Sequence, residues 1–216
     1  QEVIVDLKQA GMYLIGTATN VKEAKENEIA GLDAVIAQGS EAGGHRGGYT
    51  SAEEGNGIGL MSLIPQVADH INIPVIAAGG IMDGRGMMAS ICLGAKAVQL
   101  GTAFLTSRES GANPVHKDAI MHASEDDPVL TRAFSGKWAR GINNTFIEVM
   151  KKHESKWPAF PVQNAFTKAI RKAAGAQKNK EYMSLWAGQS VRLAKSETAG
   201  DLVMRIVEEM EEIKFK

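Results

Sequence analysis

The chain has 216 residues, with 24 Lys and Arg against 25 Asp and Glu and a formal net charge of -1, so no overall field draws it to nucleic acid or to an anionic membrane surface. That length supports an ordinary hydrophobic core without disulfides or a structural metal. The single cysteine, Cys92, excludes an internal disulfide framework and a Cys-rich zinc site and points to a reducing, cytoplasmic setting. The sequence shows no run of about 18 apolar residues and no charged start leading into a short apolar stretch, so neither a membrane span nor a signal peptide is expected. Glycine is in excess, at 23 where average usage of about 7% gives roughly 15. The chain opens on Gln1, inside a helical pattern (Val3, Ile4, Leu7, then Gly11), which suggests a fragment or a processed chain.

In chain order, four short apolar, β-branched runs end in glycine: Met12–Gly16, Ala34–Gly39, Pro74–Gly79 and Ala97–Gly101. Apolar on nearly every residue, they are predicted as strands buried on both faces, the signature of a parallel sheet. Helical patterns alternate with them. Asn20 with Glu23 forms a start resembling a capping box before a helix over 21–30, which Gly31 ends. Leu63, Ile64, Val67, Ala68 and Ile71 form an apolar stripe with Pro65 in the first turn. Asp83 can cap a helix carrying Met87, Met88, Ile91 and a buried Cys92, closed by Gly94. This alternation predicts a β/α architecture with right-handed crossovers. Beyond residue 110 no strand-like run is apparent. Helices are expected around 114–123, 144–153 and 164–174, with Trp157–Pro161 as an ordered connector. A last helix over 199–213 carries Leu202, Val203, Ile206, Val207, Met210 and Ile213 on one stripe and could return to cover the sheet.

The gap between the second and third strands is long because of residues 39–59, which hold eight glycines. Long loops at the C-terminal ends of parallel strands are where α/β proteins place their chemistry. Within this loop His45 can exchange a proton near neutral pH, and Arg46 offers a donor fork for an anionic group. A solvated loop histidine is the plainer alternative. The ends of the third and fourth strands, Gly79-Gly80-Ile81 and Gln99-Leu100-Gly101-Thr102, suit close backbone approach to a phosphate, with the helix after Asp83 adding its positive end. Tight turns that pack helix on strand would look the same. His70, His116, His122 and His153 lack metal-site spacing and read as surface or satisfied helix residues. Trp186-Ala187-Gly188-Gln189-Ser190 reads only as a loop.

Taken together, Ala37-Gln38-Gly39-Ser40-Glu41-Ala42-Gly43-Gly44-His45-Arg46-Gly47, Pro74-Val75-Ile76-Ala77-Ala78-Gly79-Gly80-Ile81, Gln99-Leu100-Gly101-Thr102-Ala103-Phe104-Leu105 and the later Trp186-Ala187-Gly188-Gln189 closely resemble the bacterial nitronate monooxygenases, formerly called 2-nitropropane dioxygenases. The resemblance implies an FMN-dependent (β/α)8 barrel with a helical second domain that oxidises alkyl nitronates, such as propionate 3-nitronate, with O2 to a carbonyl compound and nitrite. It further implies that Gln38 and Gly43 contact the flavin, that Gly79 and Gly80 with Gln99, Leu100, Gly101 and Thr102 hold its phosphate end, and that His45 faces the substrate as hydrogen-bond donor or base. Such a barrel closes with eight strands, and the sequence shows four. The chain therefore resembles the C-terminal half of the family. Residues 1–110, with 196–216 as a returning barrel helix, would form the second half of the FMN-binding barrel, and 111–195 the helical domain. The absent N-terminal half would be the chief partner, alongside the nitronate, O2 and a possible homo-oligomer. Two rival readings are an FMN-dependent, NAD(P)H-using enoyl-acyl-carrier-protein reductase, which shares the Gly-Gly-His and Ala-Gly-Gly-Ile patterns, and a non-catalytic half-barrel fragment.

Overall fold

The computed structural model describes residues 2–49 and 57–214, so the part of the glycine-rich loop at 50–56 lies outside the described residues. In chain order the elements are α1 (Glu2–Gln9), β1 (Ile15–Ala18), α2 (Val21–Ile29), β2 (Ala34–Gln38), β3 (Gly44–His45), α3 (Leu60–Ala68), β4 (Val75–Ala78), α4 (Gly84–Cys92), β5 (Ala97–Gln99), α5 (Thr102–Leu105), α6 (Pro114–His122), β6 (Pro128–Thr131), β7 (Ala139–Ile142), α7 (Thr145–Lys151), α8 (Val162–Ala176) and α9 (Ala199–Lys214). They fall into two compact units, one drawn from 1–41, 47–100 and 204–216, the other from 42–46 and 101–203.

The first unit is the expected α/β arrangement, a four-stranded parallel sheet in the order β1-β2-β4-β5. Ala18, Val35, Ala37 and Val75 from the strands and Leu63 and Val67 from α3 make its main core. Burying an aliphatic side chain of this kind contributes about 1.5–3 kcal/mol. The helix starts follow side-chain chemistry. Asn20 caps α2 by accepting from the Glu23 N–H at 2.9 Å. Glu23 reaches back one residue further than a capping box requires, taking the Thr19 N–H and hydroxyl at 2.7 and 2.8 Å. The start of α3 has only Gly59 as N-cap, and its first N–H, on Leu60, donates instead to the Glu41 carboxylate at 2.8 Å. Because α3 begins at Leu60, Pro65 sits inside the helix, beyond the first turn.

Two expectations fail in this unit. Cys92 is exposed, because α4 packs through Gly84, Met87 and Ser90, a line that leaves Ile91 and Cys92 outside. The positive end of α4 is also already taken. Asp83 accepts the Gly86 N–H at 3.1 Å, and Glu209 accepts the Gly84 N–H at 2.7 Å, so two carboxylates take up N–H groups that the helix was expected to add to the phosphate site. The C-terminal part of α9 does return to the first unit: a methyl group on Gly84 would lie 2.6–2.9 Å from Glu209, Ile206 and Met210 atoms. Only part of the expected stripe is buried, since Val203 and Val207 are about half exposed.

The second unit contains strands that the sequence reading missed. β6 and β7 pair antiparallel, and the two-residue β3 adds to β7, giving the order β3-β7-β6. Ala139, Arg140, Gly141 and Ile142 are all buried. The pattern hid this strand, because an arginine and a glycine within four residues argue against one. Gly141 is required there: a methyl group would lie 2.8 Å from the Leu185 carbonyl and 2.9 Å from the Trp186 ring. Helices α6, α7 and α8 appear close to their expected positions. Among the described residues no helix is long and apolar enough to cross a membrane.

Candidate active site

His45 lies on a short strand and not on a free loop. Gly44 and His45 pair with Arg140 and Ala139 of β7, and the next N–H, on Arg46, donates to the Trp138 carbonyl at 2.8 Å. The imidazole sits 5.5 Å from the Trp186 ring and 6.3 Å from Phe160, centroid to centroid. Its Nε2 is 2.8 Å from the Ser135 hydroxyl. The ring keeps access to solvent on one side, while partial desolvation, followed by the charges of Lys137 and Arg171, lowers its pKa below the usual 6.5. It is therefore neutral at physiological pH, able to accept a proton or share a hydrogen bond. Arg171 is held by neutral oxygens, those of the Asn164 side chain and carbonyl and the Thr167 carbonyl.

Gly43 explains why a distant segment accompanies the histidine motif. A methyl group there would lie 2.6 Å from the Ala187 carbonyl carbon and the Gly188 nitrogen, so two backbones touch where only glycine fits. The Trp-Ala-Gly-Gln segment thus forms the wall behind His45, and its Gly188 N–H donates to the Thr102 hydroxyl at 2.9 Å. Thr102, a candidate phosphate ligand, spends its hydroxyl on this wall. Gly43→Ala is expected to destabilise the protein by about 1–3 kcal/mol through overpacking against backbone that cannot yield. A lowered denaturant midpoint with an unchanged slope checks this.

Of the other sequence candidates, Gln38 ends β2, and its Oε1 accepts the Gly47 N–H at 2.7 Å. Methyl groups on Gly47 and Gly48 would meet Thr17 at 2.4 Å and Thr19 at 2.6 Å, and the Tyr49 N–H donates to buried Glu23 at 2.8 Å. Residues 47–49 are therefore fastened to the β1 and α2 ends of the first unit, and several of the loop's glycines are there for close packing. Gly79 and Gly80 follow β4 with φ of 128° and 68°, a left-handed pair that only glycine adopts without strain. No described residue accepts the backbone N–H of Gly79, Gly80 or Ile81. Gln99 ends β5 on the same sheet and is exposed, with Leu100 half-buried beside it. In the second unit, Gly101 faces open space, and among the described residues the N–H groups of Gly101 and Thr102 also lack an acceptor.

In each unit taken by itself, N–H groups that lack an acceptor among the described residues, on glycine turns after parallel strands, are of the kind that suits the phosphate oxygens of a flavin nucleotide. The chemistry available is anion binding at the strand ends and proton exchange or hydrogen bonding at His45. Ser135 was not visible as a site residue, being 90 positions from His45 in a stretch without local pattern. Only the spacing of Ser135-Gly136 before the unrecognised strand could have drawn attention to it. His116 is a satisfied helix residue, its Nε2 3.0 Å from the Trp186 carbonyl.

Comparison with known proteins places these features in context. The family model for nitronate monooxygenase matches residues 1–209. A probable nitronate monooxygenase of Staphylococcus haemolyticus is 55% identical over 212 residues, covering 97% of this chain and 59% of that protein. One from Staphylococcus aureus is 53% identical over 214 residues, covering 99% and 60%. The chain thus spans less than two thirds of the length of these curated relatives. Among solved structures, nitroalkane oxidase from Streptomyces ansochromogenes superposes with a TM-score of 0.92 at 45% identity, covering 99% of this chain and 62% of that one. FabK from Thermotoga maritima gives 0.82 at 36%, covering 96% and 64%.

Proposed function

Because the chain belongs to the nitronate monooxygenase family, we propose that the protein oxidises alkyl nitronates, propionate 3-nitronate among them, with O2 to a carbonyl compound and nitrite, using FMN. The observation that carries the reading is the row of backbone donors at Gly79, Gly80 and Ile81, without an acceptor among the described residues, at the C-terminal end of a parallel strand, where β/α proteins hold phosphate. In this reading Gly79 and Gly80, with Gln99 and Leu100 in the first unit and Gly101 and Thr102 in the second, bind the phosphate end, while Gln38 and Gly43 contact the ring. The flavin, when bound, supplies the electron-accepting ring that the oxidation needs. His45 holds the nitronate by a hydrogen bond, or removes a proton where the substrate arrives as the neutral nitroalkane.

The same reading takes residues 1–110 and 196–216 as the second half of a (β/α)8 barrel and 111–195 as its helical domain. In the described sheet, β1 and β5 each pair on one side only, and these are the edges that the other barrel half would cover. The relatives' greater length accommodates that half. Detoxification of nitronates in the cytoplasm is the corresponding cellular role.

Anaerobic mixing of the natural-length, flavin-loaded protein tests the proposal. Propionate 3-nitronate should bleach the flavin absorbance and NADPH should not. Rapid bleaching by NADPH, with the nitronate inert, would assign the protein to the enoyl reductases instead.

A further inference from the structure

Gln163, Thr167 and Arg171 follow one another at steps of four residues on a single face of α8. The Gln163 side-chain amide donates to the Ala133 carbonyl at 2.7 Å, and the Thr167 hydroxyl donates to the Phe134 carbonyl. Both of these side chains are buried. Successive turns of the helix thus meet successive residues of the stretch before β7, which brings the next turn, that of Arg171, to its Ser135 end. There the Ser135 hydroxyl is 2.8 Å from His45 Nε2.

The Arg171 guanidinium is half-buried, and it is fixed in place without being neutralised. Its Nε donates to the Thr167 carbonyl at 3.4 Å, and its Nη2 donates to the Asn164 carbonyl at 2.9 Å and to Asn164 Oδ1 at 2.7 Å. These contacts engage three of the five N–H donors, all on uncharged oxygens. The two on Nη1 have no acceptor among the described residues. Arg85, Arg132, Arg192 and Arg205, by contrast, each pair with a carboxylate. A charge drawn out of water without a counter-charge is costly. Burial accordingly pulls the Arg171 pKa below its ordinary value, without discharging the group. Its charge also reaches the His45 ring.

We propose that Arg171 is a specificity residue, whose Nη1 holds a carboxylate at the far end of a nitronate that faces His45. This rests on the reading of His45 as the substrate-facing group. It adds the residue that selects one nitronate over another. Because Nε and Nη2 are already engaged, the contact is a single charge-assisted hydrogen bond on Nη1 and not a two-pronged one. The Asn164 and Thr167 oxygens set the orientation in advance, so little side-chain freedom is lost when the carboxylate arrives. Lys137, which also acts on the His45 ring, is a point charge on a flexible stem and supplies the comparison.

Two readouts on the natural-length, flavin-loaded protein test this. The first is the ratio of kcat/KM for propionate 3-nitronate to that for propyl 1-nitronate, which lacks the carboxylate. Both are supplied as preformed nitronates, so that no proton removal by His45 enters. The ratio should fall by about 10- to 100-fold in Arg171→Gln, the range for a hydrogen bond to a charged group, mainly through KM. Arg171→Lys, which keeps the charge and loses the fixed fork, should keep part of the preference. The second readout is calorimetric binding of succinate, with a carboxylate at each end, against butyrate, with one. The wild type should prefer succinate, and Arg171→Gln should bind the two about equally. A wild type without the preference, or a ratio unmoved in Arg171→Gln because both partners of a pair lose alike, would overturn the proposal. So would a ratio that falls in Lys137→Gln instead. If the wild type turns over neither nitronate, the proposed function fails, and the succinate comparison still decides the carboxylate site.

Discussion

Replacing His45 with asparagine is expected to lower kcat/KM on a neutral nitroalkane by about 10²–10⁴, the range for loss of a positioned base, while flavin content stays as in the wild type. The fall should be much smaller on a preformed nitronate, which needs no proton removed and loses only a hydrogen bond. The pH profile should separate the two roles. In the wild type the base works only when unprotonated, so activity on the nitroalkane rises with pH through the His45 pKa. Desolvation and the two nearby cations place that pKa below 6.5, so the acid limb should lie on the acidic side of an ordinary histidine. His45→Asn should abolish the limb. If the variant keeps full activity on the neutral substrate and an unchanged acid limb, His45 is not the base. Stopped-time nitrite assays across pH, with both substrate forms, make the measurement.

Gly101→Asp should lower FMN affinity by about 100-fold or more while leaving folding nearly untouched. A side chain there points into open space, the φ of Gly101 is -106°, and Asp is a favourable residue at the start of a helix. Its carboxylate, however, would stand where the reading places the phosphate. Two unit charges about 4 Å apart repel by roughly 4 kcal/mol at an effective dielectric constant near 20, against about 2.7 kcal/mol per hundredfold in affinity. Riboflavin, which has no phosphate, should bind the variant and the wild type about equally. Equal losses for both flavins would mean that the substitution damages the ring site, and no loss for either would place the phosphate elsewhere. Fluorescence titration with the two flavins reads the difference.

The parallel sheet was legible because its strands, Val35, Ile36 and Ala37 or Val75, Ile76 and Ala77, are apolar on both faces, as strands covered by helices on each side must be. The glycine turns at Gly79-Gly80 were legible for the same local reason. What the sequence could not display was everything joined across long separations. The antiparallel ladder was hidden by Arg140 and Gly141, whose places are justified only by their buried neighbours. With it went the fact that His45 is part of a strand, and the partner Ser135 that the ladder's connection delivers. The α4 start was misjudged because Glu209, 125 residues from Gly84, takes the N–H that local reasoning left open. Cys92 was misplaced because helix rotation was inferred from an apolar stripe, whereas the contact runs through Gly84 and Ser90. The long loop is rich in glycine partly for packing, at Gly43, Gly47 and Gly48, so glycine density by itself overstated how much of it serves a ligand.

Aerobic incubation of the natural-length protein with FMN and propionate 3-nitronate measures the central claim most directly. The account predicts nitrite release that depends on O2 and on bound FMN and needs no NAD(P)H. Reduction of a crotonyl thioester at the expense of NADPH, with no nitrite formed from the nitronate, would contradict it.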